Sequence, residues 1–296
     1  MVTWEQFIYF AIAAVLLWAV GAWAAWREKT ALAYTSTIIG LVVFFSFILM
    51  MWISLERPPL RTMGETRLWY SFFLPLAGII VYSRWNYKER SSERHPSSPE
   101  DGRVVTELGK AKWILSFSTV LALVFICVNL FKPEIHSKTL MPALQSPWFA
   151  PHVIVYMFAY AVFGVATLMA LFLLVKETKI NSQLSAINSQ LDDLVYVGLA
   201  FMTIGMLFGA LWAKEAWGHY WSWDPKETWA AITWFAYLVY VHYRQIPTHR
   251  PKLALWVLLI SFVLLQMCWW GINYLPAAQG SSVHVYSTPG ELEEIK

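Results

Sequence analysis

Residues Trp212–Arg244 read WAKEAWGHYWSWDPKETWAAITWFAYLVYVHYR, a short polar interval crowded with aromatic residues followed by a long apolar run. Asp224 is a residue type that favours the N-cap of a helix, and Pro225 suits the first helical position. Glu227 lies where a capping-box carboxylate folds back onto the cap. We therefore predict a helix that begins at Asp224–Pro225 and reaches His242, roughly 25 Å from the first helical residue.

Two explanations fit the aromatic interval before this helix. Tryptophan and tyrosine collect at membrane interfaces, so an aromatic belt needs no function, and Asp224 and Glu227 can serve as caps alone. A belt, however, is spread over many helix ends, whereas here one loop holds three tryptophans interleaved with small residues and a histidine. A flat aromatic surface beside imidazoles suits a flat, largely apolar cofactor such as haem.

The composition is that of a membrane protein. Hydrophobic residues make up 58% of the chain and charged residues 14%, and the mean hydropathy is +0.48. Most of the apolar runs approach the ~20 residues that cross a bilayer, although the third is short and interrupted by Pro75. The first run lacks the features of a cleaved signal and is interpreted as a retained helix. We expect an all-α polytopic membrane protein with about eight transmembrane helices, at residues 7–26, 33–53, 68–83, 113–131, 152–175, 194–213, 225–243 and 253–272.

The charge distribution predicts an orientation. Most of the 22 lysines and arginines fall in the segments 27–29, 84–112, 176–179 and 244–252, which alternate with less basic loops. By the positive-inside rule these segments face the cytoplasm, so both termini and the tryptophan loop face outward. We divide the chain into residues 1–143, with helices one to four and the polar cytoplasmic loop 84–112, and residues 144–296, with helices five to eight and an outer C-terminal tail.

Other residue types exclude several functions. Cys127 and Cys268 stand alone in apolar runs, with no C-x-x-C pair, so thiol exchange by this chain is not expected. No acidic or basic residue lies deep in a predicted span, which argues against a charged ion pathway. The sequence also lacks a P-loop, and no basic patch interleaved with aromatic residues suggests nucleic acid.

Three histidines stand out by position. His152 opens the fifth predicted span and His284 follows the eighth, so both flank the tryptophan loop on the predicted outer face. His242 is the only histidine well inside an apolar run, near the predicted inner face, and an intramembrane imidazole is a functional-site hypothesis by default. The remaining histidines lie in loops and are expected not to bind a metal: His95, His136, His219 and His249.

The segment Trp217–Trp229, WGHYWSWDPKETW, resembles the tryptophan-rich WWD signature of proteins that handle haem during cytochrome c maturation. Together with YVHYR (Tyr240–Arg244) and LQSPWFAPHVIVYMFAYA (Leu144–Ala161), it is most similar to the CcsA (ResC) family of System II. The resemblance covers about residues 144–286. In the N-terminal half, only RPPLRTMGETRLWYSFF (Arg57–Phe73) is loosely similar to an early Glu-containing loop of the family. The resemblance implies a multi-pass protein of the bacterial inner membrane whose WWD loop faces the periplasm.

The resemblance also implies a set of haem contacts. His152 and His284 would be paired axial ligands of a haem b at the outer face, and His242 would be an inner ligand. The loop residues expected to support the haem are Trp217, Gly218, Trp221, Trp223 and Asp224. Because only one histidine lies within an inner span, the second inner ligand would come from a membrane partner of the CcsB (ResB) type.

The implied reaction joins haem vinyl groups to the thiols of a C-x-x-C-H motif in apocytochrome c. Whether the chain with its partner is a cytochrome c synthase (haem lyase) or a haem-delivery chaperone stays open. Two alternatives remain. A haem b subunit of a quinone-linked electron-transfer complex would be expected to carry two deep histidines on facing helices, and this chain offers one. A cofactor-free structural or transport subunit explains the spans but not the tryptophans and histidines.

Overall fold

The computed structural model of the chain describes residues 3–60, 62–94, 112–131, 146–175 and 184–275. These residues contain no strand and form eight α-helices and two short 3-10 helices, Trp4–Gln6 and Gly271–Tyr274. The α-helices are α1 (Phe7–Trp26), α2 (Thr30–Leu55), α3 (Met63–Arg94), α4 (Lys112–Phe131), α5 (Phe149–Val175), α6 (Leu184–Trp217), α7 (Pro225–Gln245) and α8 (Pro251–Trp269).

The helices confirm the expected all-α membrane architecture. In the described part of the chain, six segments are long and apolar enough to cross a membrane: α1, α2, α4, α5, the Leu191–Trp217 part of α6, and α8. Helix α7 has polar residues at both ends but is 21 residues long, or roughly 31 Å, enough to span the hydrocarbon layer. The helix predicted from the Asp224 cap begins at Pro225, as expected.

Two predicted boundaries were wrong. The third helix was predicted at residues 68–83, but α3 extends further on both sides, from Met63 to Arg94, and includes Pro75, so the first residues of the predicted polar loop 84–112 are helical. Helices in membranes tolerate proline where neighbouring groups satisfy the released carbonyl. The sixth helix was predicted at residues 194–213, but α6 runs from Leu184 to Trp217 and begins within the segment 176–193, which was interpreted as an inner loop with a polar helical edge.

The chain forms two compact units. The first comprises residues 1–60, 64–136 and 177–191. Within it, α1 packs along α2 and α4. The α1–α2 approach is close because Gly40 lies under the Trp18 ring, where a Cβ would come within 2.7 Å of the indole. The indole N–H of Trp26 also donates to the Ser116 hydroxyl at 2.9 Å.

The turn from α2 to α3 encloses a buried polar cluster in this first unit. Arg57 forms a two-pronged ion pair with Glu65, with N–O distances of 2.9 and 2.8 Å. The Trp69 indole donates to the Pro59 carbonyl at 2.9 Å, and the Asn129 amide donates to the Gly64 carbonyl at 3.0 Å. The Glu-containing segment 57–73 thus closes its turn with side-chain hydrogen bonds, as a buried charge requires.

The second unit comprises residues 61–63, 137–176 and 192–296. Within it, α8 packs along α7 and α5. The Phe163 ring of α5 stacks on the Tyr237 ring of α7 with centroids 3.7 Å apart. Helix α6 receives three rings of α5 on glycines: Phe163 on Gly198, Tyr156 on Gly205 and His152 on Gly209. This packing sets His152 against α6 near the start of the tryptophan loop.

Candidate functional site

The loop between α6 and α7 begins with a glycine cap. Gly218 has a φ of +85°, a left-handed conformation that glycine adopts without cost, and its N–H donates to the Lys214 carbonyl at 3.0 Å. The Lys214 ammonium donates back to the Gly218 carbonyl at 2.7 Å and lies 5.4 Å from the centre of the Tyr220 ring. One lysine therefore fixes both the exit of α6 and the ring that follows it.

The predicted capping box closes the other end of the loop. An Asp224 carboxylate oxygen accepts the Lys226 N–H at 2.8 Å. Glu227 accepts three hydrogen bonds on one oxygen, from the Ser222 N–H at 2.7 Å, the Asp224 N–H at 3.2 Å and the Ser222 hydroxyl at 3.3 Å. Both carboxylates are buried. Asp224 satisfies an N–H group of the first helical turn and Glu227 satisfies two N–H groups of the preceding loop, which offsets the cost of burying the carboxylates.

Trp223 lies between these hydrogen bonds in an unusual backbone conformation. Its φ is +59°, which is uncommon for a residue with a side chain and indicates local strain. The Glu227 carboxylate binds the N–H groups on both sides of it, and the Thr228 hydroxyl donates to its carbonyl at 3.1 Å. The result is an indole ring that is 69% exposed and meets Trp221 edge to face at 5.7 Å. The left-handed backbone conformation of Trp223 therefore leaves its indole ring exposed.

Two features of the loop suit a flat ligand with polar groups at its edge. The indole N–H of Trp221 is buried and has no acceptor among the described residues. A buried donor without an acceptor is costly, and a carboxylate of a ligand would satisfy it. At Gly218, in the same loop, a Cβ would meet nothing within 4 Å, so the backbone there can be approached closely. The loop thus fits the group that the sequence predicts, a porphyrin with carboxylate side chains.

His152 lies in the first turn of α5, close to the end of α6. The Ser146 hydroxyl accepts the Trp148 N–H at 3.2 Å and donates to Glu215 of α6 at 2.7 Å, which ties the two helix ends together. The Nδ1 atom of His152 lies 2.8 Å from the Gly205 carbonyl. A carbonyl can only accept, so Nδ1 carries the proton and the lone pair of the neutral imidazole is on Nε2, the atom that can bind iron.

Trp212 connects His152 to the loop, and sequence reasoning missed it. Its buried ring lies 5.6 Å from the His152 ring and 4.9 Å from the Trp217 ring. The Tyr156 ring meets His152 edge to face at 4.7 Å on α5. The imidazole is therefore held among aromatic rings that lead to the WWD segment. The apolar run that contains Trp212 gave no sign that this ring faces a histidine.

His242 lies near the other end of α7. Its Nδ1 atom is 2.8 Å from the Leu238 carbonyl, one turn earlier on the same helix, so its lone pair is also on Nε2. The ring is exposed. It lies 18 residues after Asp224, or roughly 27 Å along the helix axis. His242 and the tryptophan loop thus belong to opposite ends of one helix.

A charged network near His242 was also missed. Asp192 accepts two hydrogen bonds from Arg244, at 2.8 and 2.7 Å, and a third from the Tyr240 hydroxyl at 2.8 Å. Arg244 also donates to Nε2 of His249, whose Nδ1 donates to the Ile246 carbonyl at 2.7 Å. Both nitrogens of His249 are thus engaged, and the ring has no lone pair to offer a metal. The network fixes the end of α7 against α6.

The structure therefore gathers six of the eight candidate residues at one end of the second unit: His152, Trp217, Gly218, Trp221, Trp223 and Asp224. His242 is not among them, as the sequence predicted. His284 lies outside the described residues, so its role as the second outer ligand stays a prediction. His95 and His136 also lie outside them.

The fold and the loop define a multi-pass helical membrane protein with an exposed aromatic surface beside an imidazole. A family model described as "Cytochrome C assembly protein" matches residues 103–278. The chain is 31% identical to the cytochrome c biogenesis protein CcsA of Nicotiana tomentosiformis and 30% identical to that of Solanum bulbocastanum, covering 86% of each chain. It is 37% identical to CcsA of Chlamydomonas reinhardtii over 55% of this chain and 47% of the relative.

The chain therefore belongs to the cytochrome c assembly protein family, as the WWD segment indicated, and its role lies in cytochrome c biogenesis. Membership implies haem handling in general. The prediction of the family is confirmed, and the alternative of a quinone-linked electron-transfer subunit is set aside.

Proposed function

We propose that this chain holds haem b at its outer face, against the loop 217–224, and presents it for covalent attachment to apocytochrome c. The observation that carries the proposal is the hydrogen bond from Nδ1 of His152 to the Gly205 carbonyl at 2.8 Å. It puts the metal-binding lone pair on Nε2 of a half-buried imidazole that is linked to the WWD segment through Trp212. His284 would supply the second axial position.

The loop residues would bind and orient the porphyrin. The exposed rings of Trp223 and Tyr220 offer apolar surface to its face, and the Trp221 N–H offers a donor to a carboxylate. Asp224 and Glu227 act on the backbone, because they fix the loop conformation that presents these rings. Haem, when bound, supplies vinyl groups to which the S–H groups of a C-x-x-C-H motif add as thioethers. The chain contributes positioning, which alone can lower a barrier by several kcal/mol.

The inner end of α7 would bind haem on its way to the outer site. His242 presents one imidazole, and a haem iron in a membrane protein commonly takes two strong axial ligands. His249 is engaged by Arg244, so we propose that the second ligand comes from a membrane partner of the CcsB (ResB) type. The chain would then act in the bacterial inner membrane with the WWD loop facing the periplasm, the orientation that the basic segments predict.

The experiment that tests the proposal is an absorption spectrum of the purified chain together with a maturation assay. We expect a Soret band and split α/β bands of a low-spin haem, and holocytochrome formation from an apocytochrome that carries C-x-x-C-H. The control is an apocytochrome in which serines replace both cysteines. Purified protein without haem, which also takes up none when ferric haem is added, would overturn the proposal.

A further inference from the structure

The surface of α6 has a notch where His152 meets it. In a helix, each side chain leans toward the N-terminus and covers the turn before its own Cα, so the residue at 209 would cover the carbonyl at 205. Gly209 has no Cβ. A Cβ built there would lie 2.8 Å from Cε1 and 2.9 Å from Nδ1 of His152, distances that van der Waals contact forbids. The imidazole therefore occupies the space that a side chain at 209 would fill.

The notch exposes a hydrogen-bond acceptor. A helix carbonyl has two lone pairs and uses one of them within the helix, so the uncovered Gly205 carbonyl can also accept the Nδ1–H of His152. Gly205 has a second effect, because a Cβ there would lie 2.6 Å from the Tyr156 ring. Tyr156 packs edge to face on His152 and closes it from the side. The two glycines thus determine both the tautomer and the orientation of the ring.

We infer that Gly205 and Gly209 are positioning residues for His152, which they hold with Nε2 unprotonated and in one orientation for binding iron. The inference rests on the proposed function, since it concerns the outer haem ligand. A hydrogen bond from the remaining ring nitrogen of a ligating histidine strengthens its donation to the metal and fixes its direction. A ring that is already oriented also loses less rotational freedom when it binds.

The chain provides a matched control on the same helix. Gly198 lies under the Phe163 ring, where a Cβ would come within 2.6 Å of a ring carbon. The steric fit is therefore at least as tight as at Gly209, but the ring is a phenyl group that cannot bind a metal. A substitution at Gly198 reports the cost of overpacking α5 against α6 without disturbing the imidazole.

The test is titration of the full-length chain, purified in detergent, with ferric haem b. We expect Gly209→Ala to weaken haem binding about 10- to 100-fold, the range seen when the partner of a ligating histidine is lost. We also expect its spectrum to shift toward high spin and added imidazole to restore the low-spin bands. Gly198→Ala should keep the wild-type haem affinity and spectrum even if its midpoint of thermal unfolding falls as far as that of Gly209→Ala. The double variant His152→Ala/Gly209→Ala should bind haem no more weakly than His152→Ala.

The outcomes separate this inference from the proposed function. Wild-type affinity and spectrum in Gly209→Ala, with a clear loss in His152→Ala, would overturn the positioning role and leave the ligand in place. Equal losses in Gly198→Ala and Gly209→Ala would also overturn it, because packing alone would explain them. No loss in His152→Ala would remove the ligand itself.

A second variant decides the matter if Gly209→Ala does not accumulate. A histidine methylated on Nδ1, incorporated at position 152, keeps Nε2 but cannot donate to the Gly205 carbonyl. We expect the same weakening and the same change of spectrum. Haem binding at wild-type affinity with a wild-type spectrum would overturn the inference.

Discussion

His152 and His242 donate from the same ring nitrogen over the same distance of 2.8 Å, but to carbonyls of different origin. The acceptor for His152 is Gly205, which lies 53 residues away on another helix, and the ring packs among Tyr156 and Trp212. The acceptor for His242 is Leu238 on its own helix. Both imidazoles have the tautomer that can bind a metal.

The two imidazoles differ in the contacts that hold the ring in place. His152 is half-buried in a tertiary site that this chain builds alone, whereas His242 is exposed and, among the described residues, is hydrogen-bonded only within its own helix. An exposed side chain retains rotamer freedom that binding must remove. Under the proposed function, His152 as the outer ligand is therefore preorganised by this chain, whereas His242 as the inner ligand would need a second surface, that of the membrane partner.

The largest expected effect is at His152. Under the proposed function, replacing it with alanine removes a preorganised iron ligand, so covalent attachment of haem to apocytochrome c should fall below detection. When the partner is co-expressed, haem bound at the inner end should persist, and added imidazole should restore part of the activity. The measurement is holocytochrome yield beside the haem spectrum of the purified variant. His219→Ala is the matched control, because it deletes an exposed imidazole of the same loop and should leave the yield unchanged.

The next effect depends on the partner. If His242 is completed by another chain, His242→Ala should lower haem per protein about 10- to 100-fold only when the partner is co-expressed. The chain purified alone should contain little inner-site haem with or without the substitution. His249→Ala is the control, since both nitrogens of His249 are already hydrogen-bonded. Full inner-site occupancy without a partner, unaffected by His242→Ala, would contradict the shared site.

These two histidines also show how far the sequence could be read. The start of α7 was predictable because Asp224, Pro225 and Glu227 act on backbone groups within three residues of one another. The full extent of α3 was not, since the apolar run 68–83 that predicted it is shorter than the helix, which continues into the polar residues that follow.

The contacts of His152 were not predictable for a different reason. Gly205, Gly209 and Trp212 lie more than 50 residues after it and carry no local motif. The Asp192–Arg244 pair is likewise 52 residues apart, and Asp192 was placed in a loop. The positions of the histidines relative to the predicted spans and the family resemblance identified the candidate ligands, whereas the packing of α5 on α6 shows how His152 is held.

A smaller effect is expected from Glu227→Gln. This substitution weakens hydrogen bonds at the loop end of α7 only, so it separates the His152 end of the molecule from the His242 end. Its carboxylate accepts three hydrogen bonds from the loop, and replacing the charged acceptor by an amide should cost about 1–3 kcal/mol of stability. We expect lower outer-site haem affinity and unchanged binding through His242. Thermal unfolding in detergent and haem titration measure the two effects. Asp193→Asn, at an exposed carboxylate of the same unit, should change neither quantity.

The smallest effect is expected at the N-cap itself. Asp224 accepts the Lys226 N–H at 2.8 Å, and loss of such a cap costs about 0.5–2 kcal/mol. Asp224→Ala should therefore lower protein accumulation or outer-site haem affinity moderately, and Asp224→Asn, which keeps an acceptor, should be milder. Inner-site haem should not change in either variant, because Asp224 lies roughly 27 Å from His242 along the helix. Protein level, holocytochrome yield and haem titration distinguish the cases. If both variants were equally inactive at normal protein levels, the negative charge of Asp224, and not its hydrogen bond, would be the functional element of the loop.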